Sequence, residues 1–113
     1  MFSGIGVYSN KYAMKFPAYT SNQSQLYLDR RLFQVLVYLD VVDTQYEFSR
    51  LMGRHQSYFS SLQSKGLPVS AAALACVYRA VSALAHQESN KARHADLKNL
   101  TRDLEDEINQ RLR

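Results

Sequence analysis

The sequence contains a single cysteine. One thiol cannot form an internal disulfide, and Cys76 lies in an apolar run, so we expect a small buried group rather than a reactive one. Long hydrophobic runs are also missing, because Arg79 and small polar residues interrupt the most apolar stretch, 69–85. The N-terminus has no unbroken apolar segment of the secretion-signal type. These absences predict a soluble cytoplasmic protein without a membrane partner.

Carboxylates are missing from the middle of the chain. Residues 48–87 contain no Asp or Glu, although acids occur on both sides of this stretch. The basic residues and histidines within it are Arg50, Arg54, His55, Lys65, Arg79 and His86. The formal net charge of the whole chain is +4. An acid-free basic stretch should produce a locally positive field, which is typical of a surface that faces phosphates.

Catalytic and metal-binding patterns are missing as well. His55, His86 and His94 are not spaced three or four residues apart, and no cysteine accompanies them, so we expect no metal site. No serine sits in a nucleophile elbow, and there is no glycine-rich phosphate loop. We therefore expect neither an enzyme nor a cofactor.

Apolar residues recur at three- and four-residue spacing, which predicts amphipathic helices. The length, 113 residues, is that of one compact domain. We predict an all-α fold, a compact bundle of about four to five helices. The predicted parts are an N-terminal arm at 1–24, a helical domain at 25–86 and a C-terminal amphipathic helix at 87–113. Within the arm, the spacing of Tyr8, Tyr12 and Phe16 leaves open a short helix that packs on the core.

Capping and turn residues predict where the helices end. The first helix should run from near Ser24 to the acidic segment 40–43. Thr44 and Glu47 have the spacing of a capping box and should begin the second helix. Gly53 should end it, because glycine tolerates a positive φ. The third helix is predicted at 54–65, followed by a fourth capped by Ser70 and a last one after the polar break at 87–90.

The segment 44–66 combines several features at fixed offsets. Ser49 is small where two helices would cross, Gly53 follows four residues later, and four apolar residues point inward: Phe48, Met52, Phe59 and Leu62. In these features the segment resembles the helix-turn-helix of the phage lambda-type repressor and Cro family. The resemblance covers about 25–84. One departure is Arg54, which stands where the family usually has an apolar residue; we expect it to point outward rather than pack along the turn.

The resemblance implies a sequence-specific DNA-binding transcriptional regulator, with repression as the expected action and double-stranded DNA as the partner. The third helix would enter the major groove. Gln56, Ser57 and Ser61 align with the family's base-reading positions. Phosphate contacts would come from Gln45, at the start of the second helix, and from Arg54, His55 and Lys65. Without the resemblance, the polar side of the third helix would be read as an ordinary solvated surface.

The last helix carries one apolar stripe formed by Leu97, Leu100, Leu104, Ile108 and Leu112. The stripe could pack back on the core or pair with a second copy. We predict a homodimer that reads an inverted repeat, because a single small module makes few contacts with DNA. The heptad spacing fails at Glu107, which favours a short helix over a long coiled coil. Glu107 and Arg111 should form an ion pair one turn apart.

A second class of function stays open. The same bundle could bind a regulatory protein and sequester it, as an anti-activator or inhibitor, through the apolar last helix and the aromatic arm. Five Phe and eight Tyr in the chain favour this alternative. Salt separates the two hypotheses, because DNA binding releases counterions and weakens steeply as salt rises, whereas an apolar protein interface barely responds.

Overall fold

The computed structural model describes residues 22–112, with side chains from Ser24 onward, and this part of the chain is helical without any strand. Its five helices are α1 Asn22–Tyr38, α2 Gln45–Leu51, α3 Tyr58–Lys65, α4 Ala71–Gln87 and α5 Lys91–Arg111. The predicted all-α class is therefore confirmed. The predicted arm, including Tyr8, Tyr12 and Phe16, lies outside the described residues except for its last three positions. None of the described helices combines the length and apolarity that crossing a membrane requires.

One hydrophobic core joins all five helices. Each helix contributes side chains that are at most 1% exposed, among them Leu32, Leu36, Phe48, Phe59, Leu74, Val77, Leu97 and Leu100. Three aromatic rings link the first three helices: Phe48 meets Phe59 edge-on with centroids 4.8 Å apart, and Phe33 of α1 lies 5.6 Å from Phe48. Such ring pairs add to the energy of burial, so α2 and α3 are held firmly against α1.

Three of the predicted helix starts agree with the observed caps. Thr44 Oγ1 accepts a hydrogen bond from the Glu47 amide (3.1 Å). In return the Glu47 carboxylate accepts one from the amide of Asp43 (2.7 Å), one residue earlier than the usual capping box. Ser70 caps α4 through the Ala73 amide, and Asn90 caps α5 through the Arg93 amide. The capping box and the Ser70 cap are confirmed.

The C-terminal stripe is used inside the subunit. Leu97, Leu100 and Leu104 are 0% exposed and pack in the core together with α4, whose many alanines allow a close approach of α5. The prediction that these three side chains contact a second copy is therefore wrong, because burial in their own core leaves them no surface to offer. Ile108 is half-buried, and Leu112 remains 69% exposed.

A buried ionic cluster lies at the end of α5. Arg111 Nε contacts Glu107 Oε2 at 2.7 Å, which confirms the predicted pair, and Arg111 Nη2 contacts Asp29 Oδ1 of α1 at 2.9 Å. The side chains of Arg111 and Asp29 are 5% and 1% exposed. Burial raises the pKa of the Asp29 carboxyl, while the Arg111 charge and the Val69 amide act in the opposite direction. The C-terminal end of α5 is thus built into the core.

Candidate nucleic-acid interface

Ser49 fixes the crossing of α2 and α3. Its side chain is fully buried, and its hydroxyl donates to the Gln45 carbonyl (3.0 Å) while accepting from the Phe59 amide (3.0 Å). The Phe59 amide lies in the first turn of α3, where amides lack a partner within the helix. Ser49 is therefore the small residue that the sequence predicts at this crossing, and its hydroxyl also joins the two helices directly.

The turn between these helices depends on Gly53. Its φ is +73°, as predicted for a glycine that ends α2, and the Arg54 amide donates back to the Ser49 carbonyl (3.1 Å). A Cβ at this position would lie 3.4 Å from Cys76 Sγ, so the turn rests on α4. Cys76 itself is half-buried rather than buried, because it lies beside this turn at the edge of the core.

The third helix begins later than predicted. Residues 54–57 form a turn, and α3 starts at Tyr58 instead of Arg54. The Tyr58 amide bonds to the His55 carbonyl (2.9 Å), and the Ser57 amide lies 3.3 Å from His55 Nδ1. These are the short-range bonds of a cap rather than of a helix interior, so His55 delays the start of the helix.

The three predicted base-reading residues are all exposed. Gln56 and Ser57 lie in the turn, and Ser61 lies on α3, where its amide bonds to the Ser57 carbonyl (2.9 Å). This bond places Ser57 and Ser61 one helical turn apart on the same side. The Ser57 hydroxyl also lies 3.0 Å from His55 Nδ1. The structure therefore brings these positions together on one surface.

The predicted phosphate-contacting residues are exposed as well. Gln45 is exposed at the start of α2, and Lys65 is exposed at the end of α3. Arg54 is exposed, with its guanidinium carbon 5.6 Å from the centre of the Tyr58 ring. A cation over a tyrosine face is attracted by the ring, so Tyr58 favours this position of the Arg54 guanidinium. We call the exposed side chains of Arg54, His55, Gln56, Ser57, Ser61 and Lys65 the outer face.

Sequence reasoning missed one further contact of α3. Arg30 of α1 donates through Nη1 to the Gln63 side-chain oxygen of α3 (3.3 Å), which brings an exposed cation next to this helix. Arg50 of α2, which belongs to the acid-free basic stretch, is also exposed. A separation of 33 residues between Arg30 and Gln63 leaves no local pattern, so only a knowledge of the tertiary packing could have found this contact.

The charge of the outer face is positive or neutral throughout. It contains no carboxylate, and the stretch from Phe48 to Gln87 that surrounds it has none. The acids nearest in sequence are Asp43 and Glu47 at the start of α2, where the Glu47 carboxylate accepts a hydrogen bond from the Asp43 amide. Within the described residues, His, Cys, Asp and Glu side chains form no cluster that could hold a metal ion. The arrangement can therefore offer hydrogen bonds and cations to an anionic partner.

Comparison with known proteins identifies a family. No curated protein and no solved structure matches the chain. A family model does match, over residues 30–113, a range that takes in α2 to α5 and about half of α1. Because this match covers well over half of the sequence, the chain belongs to the "Family of unknown function (DUF6626)".

Proposed function

We propose that the protein is a cytoplasmic, sequence-specific DNA-binding transcriptional regulator, with repression as its expected action. One observation carries the proposal: the outer face of segment 54–65 is exposed and free of carboxylates, while the inner side of the same segment is fixed in the core. Phe59 is 1% exposed, and its amide is held by Ser49. A rigid, protruding polar surface is what groove reading requires.

The size of α3 suits the major groove. The groove is about 12 Å wide and admits a single α-helix, whereas the minor groove does not. α3 has eight residues and is preceded by an exposed turn, so Gln56 and Ser57 stand at its N-terminal end. N-terminal residues of a reading helix are the ones that approach base edges.

The side chains of the outer face divide into two chemical groups. Gln56 can offer a donor and an acceptor together, which matches adenine, and Ser61 can offer either one. Arg54, His55 and Lys65, together with Gln45, suit phosphate oxygens, which position a protein without specifying sequence. Arg30 and Arg50 add exposed positive charge on the neighbouring helices.

A second copy is part of the proposal. Half-sites of an inverted repeat are spaced by one helical turn, about 34 Å. The described residues measure 38 × 29 × 22 Å, so two copies on one face of the duplex would be close enough to touch. Of the predicted stripe, Ile108 and Leu112 keep exposed surface for such a contact.

The alternative of a protein-binding inhibitor rests on less surface than the sequence suggested. Leu97, Leu100 and Leu104 are buried, so the last helix does not present an apolar stripe to a partner. The large apolar side chains that are exposed include Tyr27, Val37, Tyr38, Tyr46, Leu67 and Leu112. Within the described residues, these side chains would have to carry a protein interface; the aromatic arm that the alternative also invokes lies outside them.

Selection of bound duplexes from a random pool tests the proposal. We expect enrichment of an inverted repeat, with affinity that falls steeply as salt rises because counterions are released from DNA. Gln110→Ala, which alters an exposed glutamine at the end of α5, is the matched control and should enrich the same sequence. A pool that stays random, with no salt-dependent DNA binding, would favour the protein-binding alternative.

A further inference from the structure

Arg111 lies at the centre of a set of buried contacts far from α3 in sequence. Its Nη1 donates to the Val69 carbonyl (3.0 Å), and its Nη2 contacts Asp29 at 2.9 Å and the Gln25 carbonyl at 3.4 Å. Its Nε contacts Glu107 at 2.7 Å. One guanidinium thus joins the last turn of α5 to α1 and to the loop at 66–70 between α3 and α4.

Val69 is held on both sides of its backbone. While Arg111 binds its carbonyl, the Asp29 side chain accepts a hydrogen bond from its amide (2.9 Å). The Val69 side chain is 2% exposed. Charge-assisted hydrogen bonds in a dry environment are the strong kind, so this point of the loop has little freedom to shift.

The next residue of the loop contacts the start of α3. The Ser70 amide lies 3.4 Å from the Tyr58 hydroxyl, which accepts a hydrogen bond from it. Tyr58 is the first residue of α3, and its ring lies beneath the Arg54 guanidinium. A continuous series of contacts therefore leads from Arg111 through the loop and Tyr58 to the outer face.

We propose that Arg111 is a positioning residue, which holds the loop at 66–70 and, through Tyr58, fixes the start of α3 for base reading. Its consequence for DNA rests on the function proposed above. Base contacts need placement within about 0.5 Å, whereas long charged side chains can still reach phosphates after a small shift. Loosening this series of contacts should therefore reduce discrimination between sequences more than it reduces affinity for any duplex.

Tyr58→Phe tests the end of the series nearest the site. The change removes the hydroxyl and leaves the ring under Arg54. We expect the ratio of affinities for the selected duplex and a random duplex to fall about fivefold, a size usual for coupling between sites. Affinity for the random duplex should stay within about twofold. Tyr78→Phe, which alters another half-buried tyrosine outside the series, should leave the ratio unchanged.

Arg111→Lys tests the remote end. Lysine keeps a positive charge beside Asp29 and Glu107 but cannot form the same fork of bonds with the Val69 and Gln25 carbonyls. The affinity ratio should fall as it does in Tyr58→Phe. In the double variant this ratio should be no lower than in whichever single variant has the lower ratio, because both changes act through one series of contacts. Arg102→Lys, an exposed arginine of α5, is the control. If Arg111→Lys fails to fold, Asp29→Asn, which keeps the side-chain volume, takes its place.

Hydrogen exchange without DNA separates this inference from the proposed function. We expect faster exchange of the amides at 59–62 in Arg111→Lys and in Tyr58→Phe than in the controls. Any of three results would overturn the positioning role: unchanged exchange of the amides at 59–62, an unchanged affinity ratio in folded variants, or additive losses of the ratio in the double variant. A wild-type protein without a preferred duplex would overturn the proposed function, and the exchange rates would then still decide whether Arg111 fixes α3.

Discussion

Gln56 has the largest capacity for sequence discrimination among the three predicted base-reading residues. Its exposed amide stands in the turn before α3 and can pair with an adenine edge. We expect Gln56→Ala to weaken binding to the selected duplex by about 1 to 3 kcal/mol and to leave random-duplex binding nearly intact. Equilibrium titration against both duplexes measures this, with Gln110→Ala as the matched control. Equal losses on both duplexes would contradict a base-reading role.

Arg54 should act through charge rather than through base recognition. Its guanidinium is exposed over the Tyr58 ring, beside the predicted reading positions. We expect Arg54→Ala to lower affinity for every duplex and to reduce the slope of log affinity against log salt by about one unit. Arg54→Lys keeps the charge and should keep the slope. If the slope stays unchanged in Arg54→Ala, the side chain serves packing on Tyr58 alone.

At the scale of elements, two glycines end the helices of the site in the same way. Gly53 after α2 and Gly66 after α3 have φ values of +73° and +69°. A Cβ at Gly66 would meet nothing within 4 Å, so Gly66→Ala isolates backbone strain from contacts. We expect it to lower the free energy of unfolding by about 1 kcal/mol, measured by denaturant titration.

Gly53→Ala is the companion variant, because its Cβ would add a contact with Cys76 Sγ at 3.4 Å. That distance is close to ordinary packing, so the loss should match that of Gly66→Ala within a few tenths of a kcal/mol. Wild-type stability in Gly66→Ala would show that the left-handed conformation is not required there. A much larger loss in Gly53→Ala would show that the turn cannot move away from α4.

Local patterns predicted most of the elements and failed where distant contacts decide. The 44/47 capping box, Ser70 and Gly53 mark helix ends in the sequence because their hydrogen bonds or torsions are local. The start of α3 was missed because the His55 side chain bonds to a nearby amide. Apolar spacing correctly predicted the inner side of α5, but spacing cannot say whether Leu97 or Leu100 will face the chain's own core or a partner.

The candidate site was predictable to a similar degree. The exposed positions of Gln56, Ser57 and Ser61 were expected from the sequence and agree with the structure. The contact of Arg30 with Gln63 and that of Arg111 with Val69 join residues 33 and 42 apart. No periodicity reports such pairs, so the means by which α3 is held could be learned only from the fold.

At the scale of the whole molecule, the junction of α1, α4 and α5 should respond to acid. The carboxylate of Glu88 accepts from the Asn90 amide (3.0 Å) and pairs with Arg93, which also donates to the Leu39 carbonyl (2.7 Å). The Asn90 amide and then the Arg93 guanidinium hold the pKa of Glu88 below its ordinary value of 4.5. Because the pKa is lowered in the folded state, these contacts of Glu88 stabilise the fold fully above the ordinary value of 4.5. The stabilisation is lost as the pH falls through the lower pKa of the folded state.

We therefore expect Glu88→Gln to have a lower free energy of unfolding than wild type at neutral pH. This difference in free energy should shrink as the pH falls below about 4.5. Denaturant titrations at several pH values measure it. Glu105→Gln, at an exposed position of α5 outside the junction, controls for the loss of one negative charge. A difference that stays constant down to strongly acidic pH would contradict an ionic role for Glu88.

Under the proposed function, the inward direction of the α5 leucines also bears on how steeply a target gene would respond to protein level. With Leu97, Leu100 and Leu104 committed to the interior, only Ile108 and Leu112 of the predicted stripe keep surface that could hold two copies together in free solution. Pairing would then occur chiefly on the duplex, where two adjacent half-sites raise the local concentration of each copy for the other. Occupancy would rise more than proportionally with protein concentration, so a modest change in synthesis would switch transcription over a narrow range.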